Sequence, residues 1–192
     1  MKKLYLLLYV LFLIYWGCEA NFITEVTLWG VVYSVENTTE LDLYNNQLTG
    51  PIPSEIGNLT NLTYLNLGDN QLTGFIPSEI GNLTNLTSLS LMINQPTGSI
   101  PPEIGNLTNL TGLGLYDNQL TGGIPSEIGN LTNLSSLILS GNQLTGEIPE
   151  SICDLNINFN NSSFNITNNQ LCPPYPSCIE DDVGEQDTSD CP

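Results

Sequence analysis

The chain repeats itself every 24 residues, and this period constrains it more than any other feature. Residues 62–85 begin again at Leu86 with few changes. Asn46, Asn70, Asn94, Asn118 and Asn142 mark the period, as do the Ile-Pro pairs that start at Ile52, Ile76, Ile100, Ile124 and Ile148. Within one copy, Leu65 and Leu67 alternate with Tyr64, Asn66 and Gly68, the spacing of a strand with one buried face. One strand and its loop cannot bury that face alone, but stacked copies can, each touching only its neighbours. The expected fold is therefore an α/β solenoid.

The remaining residues of a copy have local physical reasons. Asn70 stands where the chain leaves the strand, and its amide can satisfy backbone groups freed by the turn. Repetition predicts an internal ladder of Asn46, Asn70, Asn94, Asn118, Asn142 and Asn169. Gly74 and its equivalents allow backbone angles that a side chain would forbid. Ile76 is expected to point inward. Pro77 suits an exposed extended segment. Gly81 and its equivalents are expected to permit a bend into the outer turn. Pro96 replaces the Leu of neighbouring copies, which predicts a shallower core there and a missing backbone donor.

A period of 20–29 residues with L-x-x-L-x-L-x-x-N-x-L marks leucine-rich repeats. The added Gly-x-Ile-Pro and Ile-Gly-Asn-Leu elements resemble the plant-type subclass of receptor ectodomains and polygalacturonase-inhibiting proteins. The resemblance covers roughly residues 38–178 and implies an α/β solenoid shaped as a right-handed arc, with a parallel β-sheet on its concave face and short helical or 3-10 segments on its convex face. Residues 21–37 read as an N-terminal cap of two short strands around Gly30, with Trp29 and Tyr33 as lid residues. This cap lacks the cysteine pair usual in that subclass. Residues 38–171 are the repeats, and 172–192 are a Cys-containing cap with an acidic tail. The Cys172…Cys178 stretch resembles the subclass's closing cap, which implies a Cys172–Cys178 bridge and leaves Cys153 for Cys191. Zinc is the competing reading of four cysteines, and an exported context favours disulfides. The tail from Ile179 has little to bury and is expected to be partly disordered.

Residues 1–20 read as a targeting segment. Lys2 and Lys3 precede an apolar run from Leu4 to Trp16, too short for a comfortable membrane span. Its exit is either a small-x-small site ending at Ala20 or a bacterial lipobox with Cys18 as the lipidated residue. The leader looks bacterial, so the Asn-x-Thr triplets such as Asn58-Leu59-Thr60 read as by-products of the repeat. Lys2 and Lys3 are the chain's only cationic side chains, against 20 acidic residues and no histidine. Such a chain repels nucleic acid and anionic headgroups. Any membrane association is expected to run through a lipid on Cys18.

Catalysis finds little to work with. Without His or a Lys beyond the leader, no Ser-His-Asp, Cys-His or Schiff-base arrangement can form. Glu55, Glu79, Glu103 and Glu127 share one outer repeat position and read as a solvated column. No enzyme activity, cofactor or metal site is expected. The tail carboxylates do not match EF-hand spacing. Recognition is the stronger expectation. The non-leucine strand positions form columns, and they vary while the scaffold repeats. The candidate ligand-binding residues are Tyr44, Tyr64, Asn66, Asp69, Ser88, Met92, Tyr116 and Asp117, with a protein or polysaccharide as ligand and a monomer as the binding unit. The alternative is an ice-binding or adhesive surface built on the column Thr49, Thr73, Thr97, Thr121 and Thr145.

Overall fold

The computed structural model describes residues 23–192. The expected targeting segment and Cys18 lie outside the described residues. The strands β1 (Glu25–Leu28) and β2 (Val31–Ser34) form an antiparallel hairpin. Its turn takes positive φ at both Trp29 and Gly30, the form that suits the twist of a two-residue hairpin. Val26 and Leu28 are buried, and Trp29 and Tyr33 pack against the core. The hairpin thus covers the open end of the stack.

From there the chain alternates between two rows of strands. The inner row is β3 (Glu40–Asp42), β5 (Tyr64–Asn66), β7 (Ser88–Ser90), β9 (Gly112–Gly114), β11 (Ser136–Ile138) and β13 (Phe164–Asn165). These six form one parallel sheet in sequence order. A second row, not anticipated from the sequence, is β4 (Thr49–Pro51), β6 (Gln71–Thr73), β8 (Thr97–Gly98), β10 (Gln119–Gly122), β12 (Gln143–Glu147) and β14 (Gln170–Cys172). It splits into a two-stranded and a four-stranded sheet between β6 and β8. Two backbone bonds still cross this gap, from Gln95 N–H to the Leu72 carbonyl at 2.9 Å and from Thr97 N–H to the Gly74 carbonyl at 2.7 Å, and what Pro96 forgoes is a bond to the asparagine ladder. Leu72 and Leu120 each donate an N–H to a ladder asparagine, and proline has none to donate. Pro96 itself is buried. Five 3-10 turns, from Ser54–Asn58 to Glu150–Asp154, complete the coils on the outer side. Leu65, Leu67, Leu89, Leu91, Leu113 and Leu115 lie in the core at 1% exposure or less.

A ladder of asparagines runs from Asn70 to Asn169 and includes four of the five buried polar residues, Asn66 being the fifth; Asn46, expected as its first rung, is exposed and its side chain donates only to the Tyr44 carbonyl of its own turn. Asn118 donates to the carbonyls of Leu91 at 3.1 Å and Leu115 at 2.8 Å, and accepts from Asn94 N–H at 3.1 Å. Asn70, Asn94, Asn142 and Asn169 make the same reach to the preceding coil. An outer ladder runs beside it. Asn85, Asn109 and Asn133 donate to the carbonyls of Thr60, Thr84 and Thr108.

Two glycine positions have different causes. Gly50, Gly74, Gly98, Gly122 and Gly146 hold φ between 71° and 80°, as expected. Gly81 and its equivalents do not appear among the positive-φ residues, so the expected bend is not their reason. A Cβ on Gly105 would stand 2.5 Å from the Glu127 carbonyl oxygen. These glycines let successive outer turns touch.

The C-terminal cap corrects two expectations. The disulfides are Cys153–Cys178 and Cys172–Cys191, not Cys172–Cys178 and Cys153–Cys191. Residues after Cys172 do not fold straight back. They make another outer traverse, which stacks Cys178 on the turn holding Cys153 and carries Cys191 round to β14. Nor is the tail loose. Ile179 is 0% and Val183 8% exposed, and together they form a shortened seventh coil. Gln186 takes the place of the next ladder asparagine. Its Oε1 accepts from Leu171 N–H at 3.3 Å, and its Nε2 donates to the carbonyls of Ile166 at 3.0 Å and Val183 at 2.8 Å. Gln186→Leu is expected to lower stability by about 1–3 kcal/mol through these unsatisfied groups. Chemical denaturation checks this, and a change under about 0.5 kcal/mol would remove Gln186 from the ladder.

Candidate functional site

The inner sheet sets the register of the candidate residues. Glu40, Tyr64, Ser88, Gly112 and Ser136 stand opposite one another, as do Asp42, Asn66, Ser90, Gly114 and Ile138. Beyond the strands the ladder of N–H to carbonyl bonds continues from Asn45 to Gly68, Asp69 to Met92, Ile93 to Tyr116 and Asp117 to Ser140. Parallel strands about 4.8 Å apart therefore bring the eight candidates into adjacent columns.

Their exposure differs. Tyr44 is 43% exposed. Tyr64, Ser88, Asp69, Met92 and Tyr116 are half-buried, and Asp117 is exposed. Asn66 is turned down at 8% exposure. Its Oδ1 accepts from Gly68 N–H at 3.1 Å and its Nδ2 donates to the Tyr64 hydroxyl at 3.3 Å. It steadies the face and offers it little surface. Met92 lies over Gly68, where a Cβ would stand 2.9 Å from its Cγ.

Between these side chains the face has a bare floor. A Cβ on Gly112 would meet only the Ser88 hydroxyl at 4.0 Å, and one on Gly114 only the Ser90 hydroxyl at 3.8 Å. The Ser90 hydroxyl is buried and has no hydrogen-bond partner. Met92 and Tyr116 flank this floor on the extensions of β7 and β9, and Tyr64 stands one strand further away on β5. Nothing in the sequence distinguished Ser90 from Ser88.

The flanking column carries strain that the sequence did not reveal. Asn45, Asp69, Ile93, Asp117 and Asn168 all hold φ between 51° and 55°. Asn and Asp tolerate this left-handed region, whereas a β-branched residue is a genuine outlier there. Ile93 is also 39% exposed, so it gains little burial in return. Ile93→Asn is expected to raise stability by about 1 kcal/mol, read as a higher thermal midpoint. No rise would mean that Ile93 packing offsets the strain.

At the cap end, a shallow polar cleft of about 340 Å³ lies between Asn142, Asn168 and Gln170 on one side and Glu185 and Asp187 on the other. The Asp187 carboxyl is held below its usual pKa by hydrogen bonds from Ser189. The second row of strands presents the threonine column. Thr49, Thr73, Thr121 and Thr145 are exposed, but Thr97 is half-buried. Phe75, 71% exposed, covers Gly98 beside it. All four described cysteines are consumed by disulfides, so the zinc reading falls. Among the described residues, no group of three or more His, Cys, Asp or Glu could hold a metal ion.

The sheet, the ladder and the varied inner columns define a parallel-stranded solenoid with one varied inner face. Leucine-rich repeat models match residues 36–95, 109–131 and 133–155. The chain belongs to the leucine-rich repeat family, in its plant-type form. A search of curated proteins finds no match. Among solved structures, the chain is similar to the plant peptide hormone receptor RGFR1 in complex with RGF2. They share 44% identity and a TM-score of 0.68 over 73% of this chain and 22% of that one. It also resembles the BIR3–SERK2 complex of Arabidopsis thaliana, at 34% identity and TM-score 0.62, covering 81% of this chain and 80% of that one. A plant ice-binding protein matches at 36% identity and TM-score 0.60, over 69% of this chain and 42% of that one. The chain spans about a fifth of the RGFR1 chain.

Proposed function

We propose that this chain is an exported, non-enzymatic recognition module that holds a protein or glycan ligand against its inner sheet. The observation that carries this reading is the contrast within each coil. The core, ladder and turn residues repeat, while the columns that hold Tyr44, Tyr64, Ser88, Met92, Tyr116, Asp69 and Asp117 change from coil to coil on one aligned face. Exposed and half-exposed aromatics of this kind dominate interface energetics. Similar proteins support it, since RGFR1 was solved with RGF2 and BIR3 with SERK2. The two disulfides suit an oxidising extracellular compartment. In this reading residues 1–20 direct export, by cleavage or through a lipid on Cys18, and 21–37 and 172–192 cap the repeats.

Affinity capture from cell-envelope and polysaccharide extracts tests the proposal. A Tyr64→Ala/Tyr116→Ala variant with an unchanged thermal midpoint should retain about tenfold less ligand. Equal capture by both proteins would move the site off this face. The second reading is an ice-binding surface on the threonine column, favoured by the exposed Thr49, Thr73, Thr121 and Thr145. Phe75 and the half-buried Thr97 interrupt that column. Thermal hysteresis lost on Thr121→Val/Thr145→Val and kept in the tyrosine variant would establish it.

A further inference from the structure

Away from the inner face, the second row of strands presents a surface of different chemistry. Residues alternate along it, so Gln71 and Thr73 project outward while Leu72 is buried, and the equivalent residues of β10 and β12 do the same. From Gln47 to Thr145 the outward columns hold only Gln, Thr, Pro, Phe, Ser and Gly. The first charge in them, Glu147, stands three coils beyond Phe75. In a chain with a net charge of −18, this is a neutral field of amides and hydroxyls.

Phe75 stands alone in that field. At 71% exposure it is more open than any other large apolar side chain among the described residues, and it belongs neither to the core nor to the residues packed against it. A Cβ on Gly98 would stand against its Cδ1, 2.7 Å from its Cε1 and 3.7 Å from its Cγ. Those distances belong to a point in the plane of the ring, beyond the Cδ1–Cε1 edge, since a point over either face would lie closer to Cγ. The ring therefore rests one edge on the bare main chain of Gly98 and turns its faces to solvent. Exposed Thr73 lies two residues before it, and half-buried Thr97 and exposed Ser99 flank Gly98 on the next coil.

A ring displayed in this way suits one kind of partner. A pyranose has an apolar face of C–H groups and a rim of hydroxyls. The C–H face buries against an aromatic face, whose negative quadrupole attracts the partly positive hydrogens. The rim hydroxyls both donate and accept, as do a threonine hydroxyl and a glutamine amide. A cationic ligand finds no carboxylate in this field to pair with, and an anionic one is repelled by the rest of the chain. A protein interface asks for a wider apolar core than one phenyl ring and Pro51 supply. A crystalline face such as ice needs a flat partner, and Phe75 stands proud of the threonine column.

We propose that Phe75 is the stacking platform of a second binding site, which takes a neutral polysaccharide of hexopyranose units, with Gln71, Thr73, Thr97 and Ser99 as hydrogen-bonding partners of the sugar at the ring. The site is separate from the inner face. A ligand held by the inner sheet leaves Phe75 free, and either site can fail without the other.

Sedimentation of the full-length protein with insoluble neutral polysaccharides (cellulose, mannan and chitin) tests the site, with calcium-gelled polygalacturonate as the charged comparison. A neutral polymer should retain the protein and polygalacturonate should not, and raising salt to about 1 M should leave retention within about twofold. Phe75→Ser, which copies the next coil, should weaken binding about tenfold at an unchanged thermal midpoint, and Phe75→Trp should keep it. The Tyr64→Ala/Tyr116→Ala variant should bind like the parent. Retention that Phe75→Ser leaves unchanged, that salt abolishes, or that only polygalacturonate gives would overturn the site, and so would retention by none of the four polymers. Thermal hysteresis lost in Phe75→Ser, without retention, would assign the face to ice instead. Retention lost in the tyrosine variant and kept in Phe75→Ser would overturn this site and place the glycan on the inner face.

Discussion

Asn118→Ala is expected to destabilise the protein by about 3 kcal/mol or more. The side chain donates to the carbonyls of Leu91, Leu115 and Tyr116 and accepts from Asn94 N–H, all within 3.3 Å. Asn118 is 8% exposed, so water cannot freely replace it. Each buried polar group left without a partner costs roughly 1–3 kcal/mol. Asn118→Asp should fare no better, because a carboxylate has no hydrogen to give to three carbonyls. Each coil touches only its neighbours, so the damage should spread along the stack as lost cooperativity. Urea denaturation followed by circular dichroism measures it. A midpoint unchanged in both variants would mean that the ladder is ornamental.

Gly105→Ala carries the second large effect, about 3 kcal/mol. A methyl group there would stand 2.5 Å from the Glu127 carbonyl oxygen and 2.6 Å from the Glu127 Cβ. Backbone is on the other side of the contact, so no rotamer change relieves it. The outer turns must separate, and overpacking of this kind costs about 1–3 kcal/mol or somewhat more. Gly112→Ala is the internal control. Its methyl would have only the Ser88 hydroxyl, 4.0 Å away, as a neighbour, and its stability should stay within about 0.5 kcal/mol of the parent. The same denaturation curves decide it. Equal losses in both variants would show a generic glycine effect rather than contact between coils.

What the sequence revealed and what it hid follow from repetition. Leu65, Asn70 and Gly74 recur at the same place in several copies, so their roles could be read as a pattern. The inner sheet, its columns and the ladder were legible for that reason. Gly81 recurs too, but a recurring glycine does not say whether it frees a dihedral or makes room, and only the packing against the next coil distinguishes the two. The cap was read less well because it occurs once. Cys178 was placed by resemblance to a shorter closure, whereas the chain adds an outer traverse that brings it to Cys153. Gln186 was invisible because the ladder role there falls to a different residue at a different spacing. Its longer side chain makes the same bonds from a shortened coil. At the candidate site, the columns were legible but the depth of each side chain was not. Asn66 turned inward and Ile93 was forced to a positive φ.

Hydroxyl-radical footprinting with and without captured ligand tests the central claim most directly, since it reads aromatic and methionine side chains one by one. The account predicts that Tyr64, Met92 and Tyr116 lose reactivity when ligand is bound, while Phe75 on the other row of strands and Trp29 in the N-terminal hairpin do not. Protection of Phe75 with the two tyrosines and Met92 unchanged would contradict it, and would place recognition on the threonine-bearing side of the solenoid.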